Sequence, residues 1–280
     1  MVQVFLSSLL QLLQLFAIGI AGGLAIYFLE TLTLRSFMKS VGWRGVLWTA
    51  WIGTPIHEIS HAVVCPVFRH EVLEVKFFDP ASDDGTLGYV RHSYDPEKAY
   101  QILGNFFIGV APLIVGAHVL YLVALLLHPE ARGIQGIVTE NADALSQADA
   151  VTERMALLAG TSFELIWKLI SPSGFTSLKY WLFLYLSVCI ATHMAPSPQD
   201  MRNGLPGLLL FSAVLLLANL LASLVGTSLA GLVGWCGARL ALFSALLVYS
   251  TAVAGLGFVL SFSLLTILHR VRSGSWLSPF

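Results

Sequence analysis

Apolar residues run along this chain in six long blocks, interrupted by two polar stretches of different texture. The blocks cover about 4–29, 45–67, 100–127, 178–195, 205–226 and 238–268. A helix needs about 20 mostly apolar residues to cross a bilayer, so the pattern predicts six transmembrane helices. The last block is long and holds Gly255 and Gly257, which predicts a tilt or bend. The first block has no basic residues ahead of it and is expected to be a retained anchor.

The first polar stretch, 70–98, follows the second block. Val72, Glu74 and Lys76 alternate with Leu73, Val75 and Phe77, and Asp83-Asp84-Gly85 then breaks the run. Alternation of period two followed by a turn predicts a β-hairpin or small sheet. Asp79, Asp83 and Asp84 are expected to form a solvated turn. The second polar stretch, 129–175, can form an amphipathic helix over Glu140–Lys168, with Ala150, Val151, Met155, Leu158 and Phe163 as its apolar stripe. Such a helix would lie at the membrane surface.

Composition agrees with this pattern. The chain is 56% hydrophobic and 11% charged, against about 25% charged in a soluble domain, and its mean hydropathy is +0.79. The expected fold class is an all-α multi-pass transmembrane bundle with a small membrane-associated sheet. A net charge of −1 offers no basic face for nucleic acid. Cys65, Cys189 and Cys236 are widely spaced and read as small apolar core residues.

The second block carries His57-Glu58-Ile59-Ser60-His61. HExxH on a helix puts two imidazoles one turn apart on one face, where both reach a single Zn²⁺, and sets a Glu beside them as general base. Two His and a Glu in hydrocarbon are expensive, which itself marks a functional site. A catalytic zinc takes three protein ligands and keeps one position open. If six crossings hold, helices two and four run in the same direction. The residues after helix four then lie on the same side as the two His. Asp200, in the Pro-containing break after helix four, is the expected third ligand, and His193 is its rival. His118 would be a polar contact between helices and His128 an interfacial residue.

In order along the chain, these features resemble the site-2 protease family of intramembrane zinc metalloproteases. The resemblance rests on the HExxH at 57–61, the strand-rich insertion directly after it, the third helix with Gly104-Asn105 and Gly109-Val110-Ala111-Pro112, and the late Asp200 in a Pro-containing break. No Gly follows Asp200, and Leu113 follows Ala111-Pro112, so the chain would be a divergent member. The resemblance implies one Zn²⁺ held by His57, His61 and Asp200, with Glu58 as catalytic base. The substrate would be a transmembrane protein or peptide cleaved in or near its span. Asn105 would contact that substrate.

A helical substrate must unwind before its backbone can be attacked. The stretch from Thr86 through Gly88 to Val90 is the expected edge for an extended peptide. Lys and Arg are divided nearly evenly between the two membrane sides, so the positive-inside rule barely selects an orientation. The resemblance favours a cytoplasmic face for the hairpin. Two other readings stay open: a non-proteolytic metal-binding membrane protein, such as a transporter or protease-derived scaffold, and a structural partner that docks through 129–175.

Overall fold

The computed structural model describes residues 2–82, 85–148 and 151–280. Among them are nine α-helices: α1 (Val2–Val41), α2 (Trp43–Val64), α3 (Ala99–Leu127), α4 (Ala131–Gln147), α5 (Val151–Leu169), α6 (Leu178–Ala191), α7 (Pro198–Leu224), α8 (Ala230–Arg239) and α9 (Ala241–Ser273). Strands β1 (Glu71–Lys76) and β2 (Tyr89–Ser93) form the one small sheet.

Four of the nine helices, α1, α3, α7 and α9, are long and apolar enough to cross a membrane. The six-helix expectation is therefore corrected in its detail. At 1.5 Å per residue, the 14 residues of α6 span only about 21 Å, short of a hydrocarbon core of about 30 Å. Its predicted last turn, 192–195, leaves the helix. The other exception, α2, is long enough but carries Arg44, His57, Glu58 and His61. The sixth predicted block divides at Leu240 into the end of α8 and most of α9, which runs on to Ser273.

The chain turns from α1 into α2 at Gly42, whose φ of 77° suits glycine. Its N–H reaches back to the carbonyls of Phe37 and Met38 at 3.2 and 3.0 Å. Helix α1 packs along α9 and also meets α2, α7 and α8. A polar contact fixes the crossing with α7, where the Asn219 amide donates to Ser8 Oγ and Gln11 Oε1 at 3.1 and 2.7 Å. The largest buried cluster joins Ile26, Leu113, Leu120, Ile190, Leu246 and Tyr249 from four helices, with Ile134 of α4 and Leu165 of α5. Leu205, Leu209, Val214, Leu217 and Leu221 remain exposed on α7. A water-soluble monomer does not leave that much apolar surface open, whereas lipid would cover it.

The 129–175 stretch folds as two packed helices, α4 and α5, where one was expected. Ala150 of the expected stripe lies outside the described residues, as do the side chains of Val151 and Met155. Phe163 is 73% exposed, so it is not part of the buried face. The α5 face that packs inward carries Thr161, Leu165 and Leu169 at four-residue spacing. Thr161 Oγ1 accepts from the Asn141 side-chain amide of α4 at 2.6 Å, which sets which face turns in. His128 is 4% exposed and sits against Tyr180 and Phe183, well inside the bundle. His118 is exposed and bonds back to the Ile114 carbonyl of its own helix at 2.8 Å. His118 therefore does not make the expected contact between helices.

The sheet is antiparallel, with Glu71 opposite Ser93 and Lys76 opposite Tyr89, and its register shifts between Val72 and Glu74. Glu74 draws the strands together by accepting from Tyr89 Oη at 2.6 Å and Arg91 at 3.2 Å. Asp79 pairs with Lys76. The expected turn acids Asp83 and Asp84 lie outside the described residues.

Candidate metal centre

Residues 57 and 61 are one turn apart on α2, so their imidazoles lie on one face. The start of α7 brings a carboxylate to that face. Ser197 caps α7: its Oγ accepts from Asp200 N at 3.1 Å, and Asp200 Oδ2 accepts from Ser197 N at 2.7 Å. This reciprocal capping box holds the Asp200 carboxylate at the helix entrance. Pro198 occupies the first turn, where no N–H is needed.

The three side chains converge. His57 Nε2 is 3.2 Å from His61 Nε2 and 3.4 Å from Asp200 Oδ2, and His61 Nε2 is 3.3 Å from Asp200 Oδ1. Ligand atoms about 2.0–2.1 Å from a tetrahedral zinc stand about 3.3–3.4 Å from each other. The spacing fits that ion, and the group could hold a metal.

Proton placement points the same way. His57 Nδ1 donates to the His193 carbonyl and His61 Nδ1 to the Ile108 carbonyl, each at 2.8 Å. In neutral imidazoles this leaves lone pairs on both Nε2 atoms. Two lone pairs and a carboxylate facing one another repel unless a cation lies between them. Donation from Nδ1 to a backbone carbonyl is also how proteins fix metal-binding histidines.

The acceptor for His61 exists because of a proline. Position 112 would ordinarily donate its N–H to the Ile108 carbonyl. Pro112 has none, so that carbonyl is left for His61.

Glycines permit the close approach of the helices around the site, α3 to α7 and α2 to α6. A Cβ on Gly109 of α3 would lie 2.7 Å from the Asp200 carbonyl oxygen, and one on Gly53 of α2 would lie 2.2 Å from the Cys189 carbonyl oxygen of α6. Gly53 thus lets α6 deliver the His193 carbonyl to His57. His193 itself stays out of the ligand group. Its Nε2 is 3.1 Å from Thr49 Oγ1, whose own proton goes to the Val46 carbonyl.

Glu58 is 6% exposed. With His57, Thr54, Leu87 and Gly88 it lines a cavity of about 210 Å³. Gly88 lies directly over it, since a Cβ there would be 2.9 Å from Glu58 Cγ. Thr86 precedes this crossing, and Val90 sits in β2 opposite Val75. Asn105 is 3% exposed, its Nδ2 has no partner, and it does not line the cavity. It lies one turn before Gly109, on the face of α3 that meets Gly204 of α7.

Several residues at the site carry weak sequence signals. Ser197 was legible as the first letter of a Ser-x-x-Asp capping box. Glu30, an acid within α1, lines the same cavity, and its Oε2 accepts from Ala195 N at 3.2 Å. In the hairpin, His70 Nε2 donates to the Gln101 carbonyl at 2.8 Å, so its Nδ1 can accept from His92 Nδ1 at 3.0 Å. Burial, then the neighbouring His70 and His61, hold the His92 pKa below the usual histidine value.

No family model, curated protein or solved structure matches the chain.

Proposed function

We propose that this protein is an intramembrane zinc metalloprotease, similar to the site-2 proteases, that hydrolyses a peptide bond in or near a transmembrane segment of its substrate. The observation that carries the proposal is the trio of His57 Nε2, His61 Nε2 and Asp200 at 3.2–3.4 Å, with the buried Glu58 beside it on α2. In this reading α2 and α6 sit at membrane depth among the four long helices, giving six membrane-embedded segments. The hairpin faces the cytoplasm.

Zinc, when bound, supplies a Lewis acid that polarises the scissile carbonyl and makes water a competent nucleophile near neutral pH. The chain's own residues do the rest. His57 and His61 are aimed by the carbonyls behind them, and Asp200 is held by its helix cap. Glu58 takes the proton of the attacking water and returns it to the leaving amine. The 85–90 stretch runs over Glu58 into β2 and is the edge along which an unwound peptide would align.

Zinc content and peptide cleavage by purified variants test the proposal. His57→Ala and Asp200→Ala should lose stoichiometric zinc, and His193→Ala should keep it. Glu58→Gln should keep zinc and lose at least 10²-fold in cleavage rate, the scale of a missing general base. A non-proteolytic metal carrier would bind zinc equally and cleave nothing in either wild type or Glu58→Gln.

A further inference from the structure

The cavity beside Glu58 holds a second carboxylate. Glu30 projects from the apolar α1 and uses Oε2 to accept from Ala195 N at 3.2 Å. The residues lining the cavity include Glu30, Thr54, His57 and Glu58 and no Lys or Arg. A carboxylate on a membrane helix is costly without a positive partner, and the described residues lining the cavity include no Lys or Arg to supply one.

A separate observation concerns Thr54. It is 6% exposed, lines the same cavity, and its Oγ1 has no hydrogen-bond partner. A helical threonine ordinarily satisfies its hydroxyl on a carbonyl one turn back. A buried hydroxyl left open is destabilising, and a ligand with N–H groups would satisfy it. The cavity volume of about 210 Å³ is far more than a single water needs and leaves room for one extended side chain.

We infer that this cavity is a subsite for a cationic side chain, Lys or Arg, with Glu30 as counter-ion and the Thr54 hydroxyl as a second acceptor. As a substrate subsite it rests on the proteolytic reading, because the cavity shares His57 and Glu58 with the metal centre. A basic residue seated here would lie within a few residues of the bond presented to the zinc. Specificity would then combine a buried charge pair with extended backbone, and the protease would select membrane segments that carry a basic residue close to the cleavage point.

The test has a binding arm and a cleavage arm. Zinc-loaded protein in detergent is titrated calorimetrically with n-butylammonium and with n-butanol. Wild type should prefer the ammonium at least tenfold. Glu30→Gln should lose the preference, although its amide oxygen can still accept from Ala195 N. Thr54→Val should weaken the preference several-fold. Zinc content equal to wild type certifies that each variant is folded. In the cleavage arm, peptides differing only in Lys or norleucine near the scissile bond should show a Lys preference in wild type that is absent in Glu30→Gln. Equal affinity for the two small probes in wild type, or a preference that survives in Glu30→Gln, overturns the inference. An ammonium preference without cleavage of either peptide keeps the subsite and removes the protease reading.

Discussion

Each imidazole of the candidate metal site has one nitrogen committed to a backbone carbonyl, one on α3 and the other on the connector after α6. The His61 arrangement depends on Pro112, because Pro112 leaves the Ile108 carbonyl without a helical partner. Pro112→Ala would restore an N–H that competes for it. Loss of an outer contact to a metal ligand typically costs 10–100-fold in affinity, so zinc affinity should fall by about that factor even as α3 gains a hydrogen bond. Competition against a chromophoric chelator measures it, and an unchanged affinity would show that the restored N–H does not compete. At this scale the sequence is legible where chemistry is contiguous. The HExxH stands out because both imidazoles and the carboxylate fall within five residues. The carbonyls of Ile108 and His193 leave no letter pattern, since every residue has one. Pro112 alone hints at its partner, by the N–H it lacks.

The junction of α3 and α7 sets the third ligand among the elements. Gly109→Ala would place a Cβ 2.7 Å from the Asp200 backbone oxygen, and neither partner has a flexible side chain to move aside. The first turn of α7 would have to shift. Overpacking of this kind costs about 1–3 kcal/mol, and we expect a loss of zinc affinity of at least tenfold with it. Thermal melts with and without zinc separate the two effects. The hairpin makes a pH prediction. Folded His92 has a lowered pKa, so below the ordinary histidine value the unfolded chain binds a proton that the folded one refuses. Stability is then full above that value and lost as pH falls. Protection factors of β1 and β2 amides, taken relative to the intrinsic exchange rate at each pH, should fall on acidification, and His92→Gln should flatten the response. The strands were legible because period-two alternation at 72–77 coincides with a turn. The 129–175 stretch was not, because its inward face is set by Asn141 meeting Thr161 across two helices, a pairing that periodicity within one helix does not encode.

For the whole molecule, the metal would bind the folded chain and have little affinity for the unfolded one, so it should act as a stabiliser. Ligand at a thousand times its dissociation constant adds about 4 kcal/mol. Chelation should therefore lower the melting temperature of wild type and of Glu58→Gln by similar amounts and leave His57→Ala unaffected. An equal chelator response in His57→Ala would place the bound metal elsewhere. Four long apolar helices were visible as blocks of hydropathy. Of the helices around the candidate metal centre, α2 and α6 are the ones that hydropathy describes least well. One is made polar by Arg44, His57, Glu58 and His61, and the other unwinds early to free the 192–197 segment. Within that segment the carbonyl of residue 193 steers His57, the amide of 195 ties to α1, and the hydroxyl of 197 seats Asp200. Three tasks at alternate positions leave no slack in its length. Deleting or inserting one residue there would put all three out of step together, so this connector, Ser197 apart, should tolerate changes of side chain far better than changes in residue number.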